Sequence, residues 1–200
     1  MTERYIRRIV TRSARSTHAL GVRLGRLLAP GDVVALEGDL GAGKTQLVRG
    51  ACAGAAVPDE EVSSPSFAIV ATYRGRVLVH HADLYRIGDE DELYGTGFGD
   101  LVGGDGALLV EWADRVPGAL PAEKLTLRLG HDARAPNVRH VEIEGVGERA
   151  AELARRLAAR SGSGSRSGSR SGSGSGSRSR SGSRSGSGSG SRSRSSSSSG

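Results

Sequence analysis

The sequence predicts one α/β domain over residues 1–160, a mixed central sheet flanked by helices, followed by a disordered tail over 161–200. Three observations carry that expectation. Short apolar runs bounded by glycine alternate with helix-spaced leucines in the first half of the chain. Runs that alternate apolar and polar residues follow in the second half. Residues 161–200 hold 22 Ser, 11 Gly and 7 Arg and no apolar side chain, too little to bury against the entropy of ordering.

The elements follow in order. Arg4 to Val10 reads as a short strand. Thr17 precedes Leu20, Leu24, Leu27 and Leu28, whose spacing marks an amphipathic helix ending near Pro30-Gly31. Val33-Val34-Ala35-Leu36, between Gly31 and Gly38, is a buried strand. A glycine-rich turn leads into a helix from Thr45 to about Ala53, and Pro58 with Asp59-Glu60-Glu61 marks a loop. Phe67 to Tyr73 and Arg76 to His81 form a hairpin across Arg74-Gly75. Asp89 to Tyr94 suits a short helix, and the glycines from Gly95 to Gly106 a loop. Ala107 to Val110 is another buried strand, Leu125 to Leu129 and Val138 to Ile143 are half-exposed strands, and Glu148 to Arg160 is a last helix.

Charge divides along the same boundary. The net charge of +6 and a pI near 10.2 suggest a nucleic-acid binder. Without the tail, however, 21 basic residues face 22 acidic ones. The basicity belongs to the tail. No apolar run approaches the ~20 residues that span a bilayer, and the N-terminal segment lacks the pattern of a secretory signal. Cys52 is the only cysteine, which excludes an intrachain disulfide and a multi-cysteine metal site. A cytoplasmic protein without membrane or DNA partners is expected.

Gly38-Asp39-Leu40-Gly41-Ala42-Gly43-Lys44-Thr45 fits G-x-x-x-x-G-K-[ST] completely, after a strand and before a helix. Glycines let the backbone curl so that successive N–H groups converge on phosphate oxygens, and the helix adds the positive end of its dipole. The domain is therefore expected to be P-loop NTPase-like. One of only two lysines in the chain falls at the position that reaches β- and γ-phosphates, and the Thr45 hydroxyl suits magnesium. Asp83 and Glu111 each follow an apolar strand run, where a metal- or water-holding carboxylate sits. The alternatives are a helix cap at Asp83 and a surface salt bridge at Glu111.

With Ser64-Pro65-Ser66-Phe67, His81-Ala82-Asp83-Leu84-Tyr85-Arg86 and Glu111-Trp112 in that order after the P-loop, the chain resembles the TsaE family over roughly residues 5–157. The resemblance implies a bacterial ATPase required for threonylcarbamoyladenosine at position 37 of tRNAs, with ATP and Mg2+ as cofactors. It implies magnesium ligation by Thr45 and Glu111, turnover dependent on Lys44, Asp83 and Glu111, and docking on TsaD and TsaB. It implies that tRNA is reached indirectly, through that complex. Ser66 stands where the family usually has Thr and keeps the hydroxyl of a switch-like residue; Trp112 is expected to pack beside the site.

Weaker signals remain. His80 and His81 are adjacent, so on a strand they face opposite sides and cannot chelate one ion together. Seven Arg and one acid occupy residues 1–29, and this run is either a tRNA- or partner-facing surface or the solvated face of a strand and helix. Two rival functions stand beside the ATPase. A small-molecule kinase would need an arginine-bearing lid, for which only Arg86 and Arg115 qualify. An RNA-binding adaptor would act through the tail.

Overall fold

The computed structural model describes residues 2–58, 62, 65, 69–93 and 95–159. The expected disordered tail and Ser66 lie outside the described residues. The chain forms β1 (Arg4–Thr11), α1 (Ala14–Gly25), β2 (Val33–Glu37), α2 (Lys44–Gly54), β3 (Val70–Arg74), β4 (Leu78–Asp83), the short α3 (Phe98–Leu101), β5 (Gly106–Glu111), β6 (Leu125–Asp132), β7 (Ala135–Val146) and α4 (Glu148–Ala158).

These strands make one seven-stranded sheet in the order β1-β7-β6-β2-β5-β4-β3. Neighbours among β6, β2, β5 and β4 run parallel, while the β1–β7, β7–β6 and β4–β3 pairs are antiparallel. The continuous apolar runs of β2 and β5 follow from this position, since central parallel strands are covered on both faces. On one face α1, α2 and α4 bury Leu24, Leu47 and Leu157 against Val34, Leu36, Leu109 and Leu127. On the other face the connections after β4 and β5 bring Leu84, Phe98 and Val116 onto Val33, Ala35, Leu108 and Val110.

Helix α1 begins a turn before Thr17. Ser13 caps it by accepting from the Ser16 amide at 3.1 Å, and the Ser16 hydroxyl answers the Ser13 amide. The Thr17 hydroxyl is inside the helix, bonded to that of Thr11 at 2.8 Å. Helices α1 and α2 meet backbone to backbone. A Cβ on Gly25 would lie 1.9 Å from the Ala51 carbonyl oxygen, and one on Gly50 would lie 2.1 Å from that of His18.

Two expected elements change. The helix expected over 89–94 is reduced, among its described residues, to a single 3-10 turn at Asp91–Leu93. Conversely, the glycine-rich stretch holds α3, because Phe98 there is 2% exposed and anchors it in the second core.

Candidate functional site

The parallel order brings three strand ends level. Glu111 at the end of β5 lies opposite Leu36 of β2 on one side and Asp83 of β4 on the other. The connection from β2 to α2 therefore opens beside both carboxylates, at the carboxyl ends of the strands where α/β folds bind ligands. That connection is the P-loop, residues 38–45. Gly38 has φ +131° and Gly43 φ +104°, and a Cβ on Gly38 would meet the Leu129 carbonyl oxygen at 2.1 Å.

Lys44 is 4% exposed and its ammonium turns back over the loop. It donates to the carbonyls of Gly38 (2.5 Å) and Asp39 (3.0 Å). It also lies 3.5 Å from the centre of the Trp112 ring, a cation–π contact. Burial holds its pKa below the usual lysine value, against the opposing pull of Glu111, Asp114 and Asp83.

Thr45 donates through its hydroxyl to Glu111 Oε2 at 2.9 Å. The other oxygen, Oε1, lies 2.9 Å from His81 Nε2. Glu111 is 2% exposed, so it is a buried carboxylate held between two donors, and the surface salt-bridge alternative is overturned. Since the Glu111 carboxylate accepts, His81 Nε2 donates, and the buried Nδ1 finds no hydrogen-bond partner among the described residues. Asp83 serves twice. Its Oδ1 accepts from the Tyr85 amide at 3.1 Å, an Asx turn rather than a helix cap, and its side chain lines the same pocket as Glu111.

The pocket enclosed by these groups has a volume of about 360 Å³ and is walled by Gly41, Lys44, Thr45, Asp83, Glu111 and Trp112. Leu40, 75% exposed, stands at its lip. Trp112 is in the left-handed region at φ +60°, which turns its ring onto Lys44 and against Tyr85, 4.9 Å between ring centres. A hydroxyl beside a buried carboxylate, with a second carboxylate lining the same pocket, is a hard-oxygen donor set of the kind magnesium takes. The residues present fit that ion.

Structure thus brings together Gly38 to Thr45, Asp83, Glu111 and Trp112. His81 enters the sequence as part of a family motif and as an unsuitable chelate partner for His80; its pairing with Glu111 emerges only in the fold. Strand alternation offered the signal, since His81 and Asp83 are two apart on β4 and share a face. His80 faces away and meets the Thr72 hydroxyl at 2.9 Å.

Comparison with known proteins decides the family. The family model described as Threonylcarbamoyl adenosine biosynthesis protein TsaE matches residues 11–141, from the last residue of β1 to the middle of β7. The chain belongs to the TsaE family. It is 40% identical over 122 residues to the TsaE protein of Treponema pallidum, covering 61% of this chain and 90% of that one. To the TsaE protein of Streptomyces coelicolor it is 40% identical over 139 residues, covering 66% and 92%. Among solved structures it is similar to the crystal structure of YdiB from Bacillus subtilis, with a TM-score of 0.61 and 30% identity over 78% of this chain and 95% of that one. The TsaE family is involved in tRNA threonylcarbamoyladenosine biosynthesis, and its P-loop fold suggests a nucleotide-binding protein. The family match covers the P-loop, Asp83, Glu111 and Trp112 and stops short of α4 and residues 161–200.

Proposed function

We propose that this TsaE-family chain is a magnesium-dependent ATPase that serves tRNA threonylcarbamoyladenosine formation with TsaD and TsaB in the cytoplasm. The observation that carries the reading is the contact of the P-loop with a buried acid, Thr45 Oγ1 to Glu111 Oε2 at 2.9 Å. A surface-bound anion would need the loop alone. A carboxylate brought onto the P-loop hydroxyl is the arrangement that holds a divalent ion against nucleotide phosphates.

Thr45 and Glu111 would hold magnesium, which supplies positive charge to phosphate oxygens when bound. The residues around that ion divide the remaining work. The P-loop amides bind the phosphates, and Lys44 exchanges its two carbonyl contacts for phosphate oxygens. His81 keeps Glu111 in place from behind, and Trp112 covers Lys44 from water. Asp83 or Glu111 orients the attacking water as the γ-phosphorus–oxygen bond breaks to give ADP and phosphate. Among the described residues no helix is long and apolar enough to cross a membrane.

The reading is tested in cells depleted of the native protein and supplied with the Lys44→Ala chain, by mass spectrometry of their tRNA nucleosides. Loss of the threonylcarbamoyl nucleoside is expected; a normal level would overturn the mechanism. The partnership is tested by ADP release with and without the TsaD–TsaB pair, and a rate indifferent to that pair counts against it.

A further inference from the structure

We propose that Arg139, assisted by His131, is a positioning residue for the phosphate cradle, acting through the carbonyls of the P-loop without touching the ligand. The inference rests on the nucleotide reading above. A loop that turns its N–H groups toward an anion must turn carbonyls elsewhere, and each needs a donor. Around this loop all are supplied. Lys44 takes the carbonyls of Gly38 and Asp39, and the Gly43 carbonyl accepts from the Leu47 amide at 3.0 Å as α2 begins.

The middle three are gripped from outside by the β6–β7 hairpin. Arg139 Nε donates to the Ala42 carbonyl at 3.1 Å, and Nη2 to that of Gly41 at 3.3 Å. His131 Nε2 approaches the Leu40 carbonyl at 3.4 Å, and since a carbonyl only accepts, the ring nitrogen donates. Holding the carbonyls of Leu40 and Ala42 fixes the peptide planes whose other ends are the Gly41 and Gly43 amides.

Arg139 is itself anchored. Its Nη1 donates to the carbonyls of Val138 (3.0 Å) and Pro136, so the guanidinium bridges its own strand and the loop. His131 lies opposite it in the β6–β7 register, and Thr11 opposite it in the β1–β7 register. The grip thus comes from paired strands, and it persists when phosphate draws Lys44 off Gly38 and Asp39. That is the moment at which the loop would otherwise lose two contacts.

The test is ADP binding by calorimetry with the full chain, for wild type, Arg139→Ala, Arg139→Lys and His131→Ala, alongside amide hydrogen exchange. Arg139→Ala is expected to weaken ADP about tenfold or more, as loss of two charge-assisted bonds implies. Exchange should quicken at residues 41–45 while β6 and β7 keep their protection. Arg139→Lys should recover part of the affinity, and His131→Ala should lose less than Arg139→Ala. Affinity within twofold of wild type in Arg139→Ala overturns the inference and leaves the nucleotide reading intact. Loss of protection along the whole hairpin overturns it too, because Arg139 would then only support the strands. A wild-type chain that binds no ADP removes the nucleotide reading, and the inference with it.

Discussion

Lys44 is a cation kept ready in a place that disfavours cations. Burial lowers its pKa from the usual 10.5, and the nearby acids recover only part of that loss. The consequence for binding has a definite sign. Phosphate interacts with the protonated form, so affinity is level while the free protein keeps the ammonium charged. It falls as pH rises through the lowered pKa, by at most about tenfold per pH unit. The ADP dissociation constant measured from pH 7 upward should therefore begin to rise below pH 10.5, and a level profile to that point would refute the assignment. Cys52 does not confuse the profile, since burial pushes its thiol up to about 12. The chemistry of Lys44 and Thr45 was legible in the sequence because the P-loop pattern is local. That Glu111 is buried was not legible, because an acid after an apolar run looks the same whether the next strand covers it or leaves it open.

Between elements, the contact that sets the site is the crossing of α1 on α2. Helix α2 starts at the P-loop, so whatever fixes α2 also fixes the dipole end aimed at the phosphates. The helices approach until glycines touch backbone, Gly21 and Gly25 of α1 against Leu47 and Ala51 of α2. No side chain fits there. Gly25→Ala should cost about 1–3 kcal/mol or more, since its Cβ would meet a carbonyl that cannot rotate aside. Gly99→Ala is the contrast, because among the described residues nothing lies within 4 Å of its added Cβ and stability should be nearly unchanged. Urea unfolding of the two variants measures both, and equal midpoints would show that the helices simply move apart. Apolar runs and spacing reveal α1, β2, β5 and α4 in the sequence, and the glycine-rich turn reveals α2. The reduced helix at 91–93 and the added α3 were hidden, because both depend on which side chain the second core accepts, Leu93 and Phe98.

For the whole molecule, the sheet order explains why one functional candidate had no trace in the sequence. Arg139 is 97 residues from Ala42, and it reaches the P-loop only because β7 pairs between β1 and β6. No local pattern carries that information, whereas the order of motifs along the chain carried the family. Net charge misleads in the opposite direction, since it is visible at once and belongs to the wrong part. Residues 161–200 contribute seven positive charges, and the rest of the chain sums to −1. If RNA is attracted through bulk charge, the attraction lies in those residues. Truncation after Arg160 is then expected to leave ADP affinity, thermal midpoint and tRNA modification unchanged, while weakening retention of bulk tRNA at low salt. For the seven arginines of residues 161–200, full pairing with phosphates sets an upper limit of about 6 on the decades of affinity lost per decade of salt. Filter binding of tRNA to both forms over a salt series reads this directly. If the two forms bind equally, contact passes to Arg7 of β1, Arg12 of the β1–α1 connection and Arg15 at the start of α1, all of them exposed. If truncation abolishes tRNA modification instead, the appendage is part of the working protein, and the P-loop domain alone does not account for function.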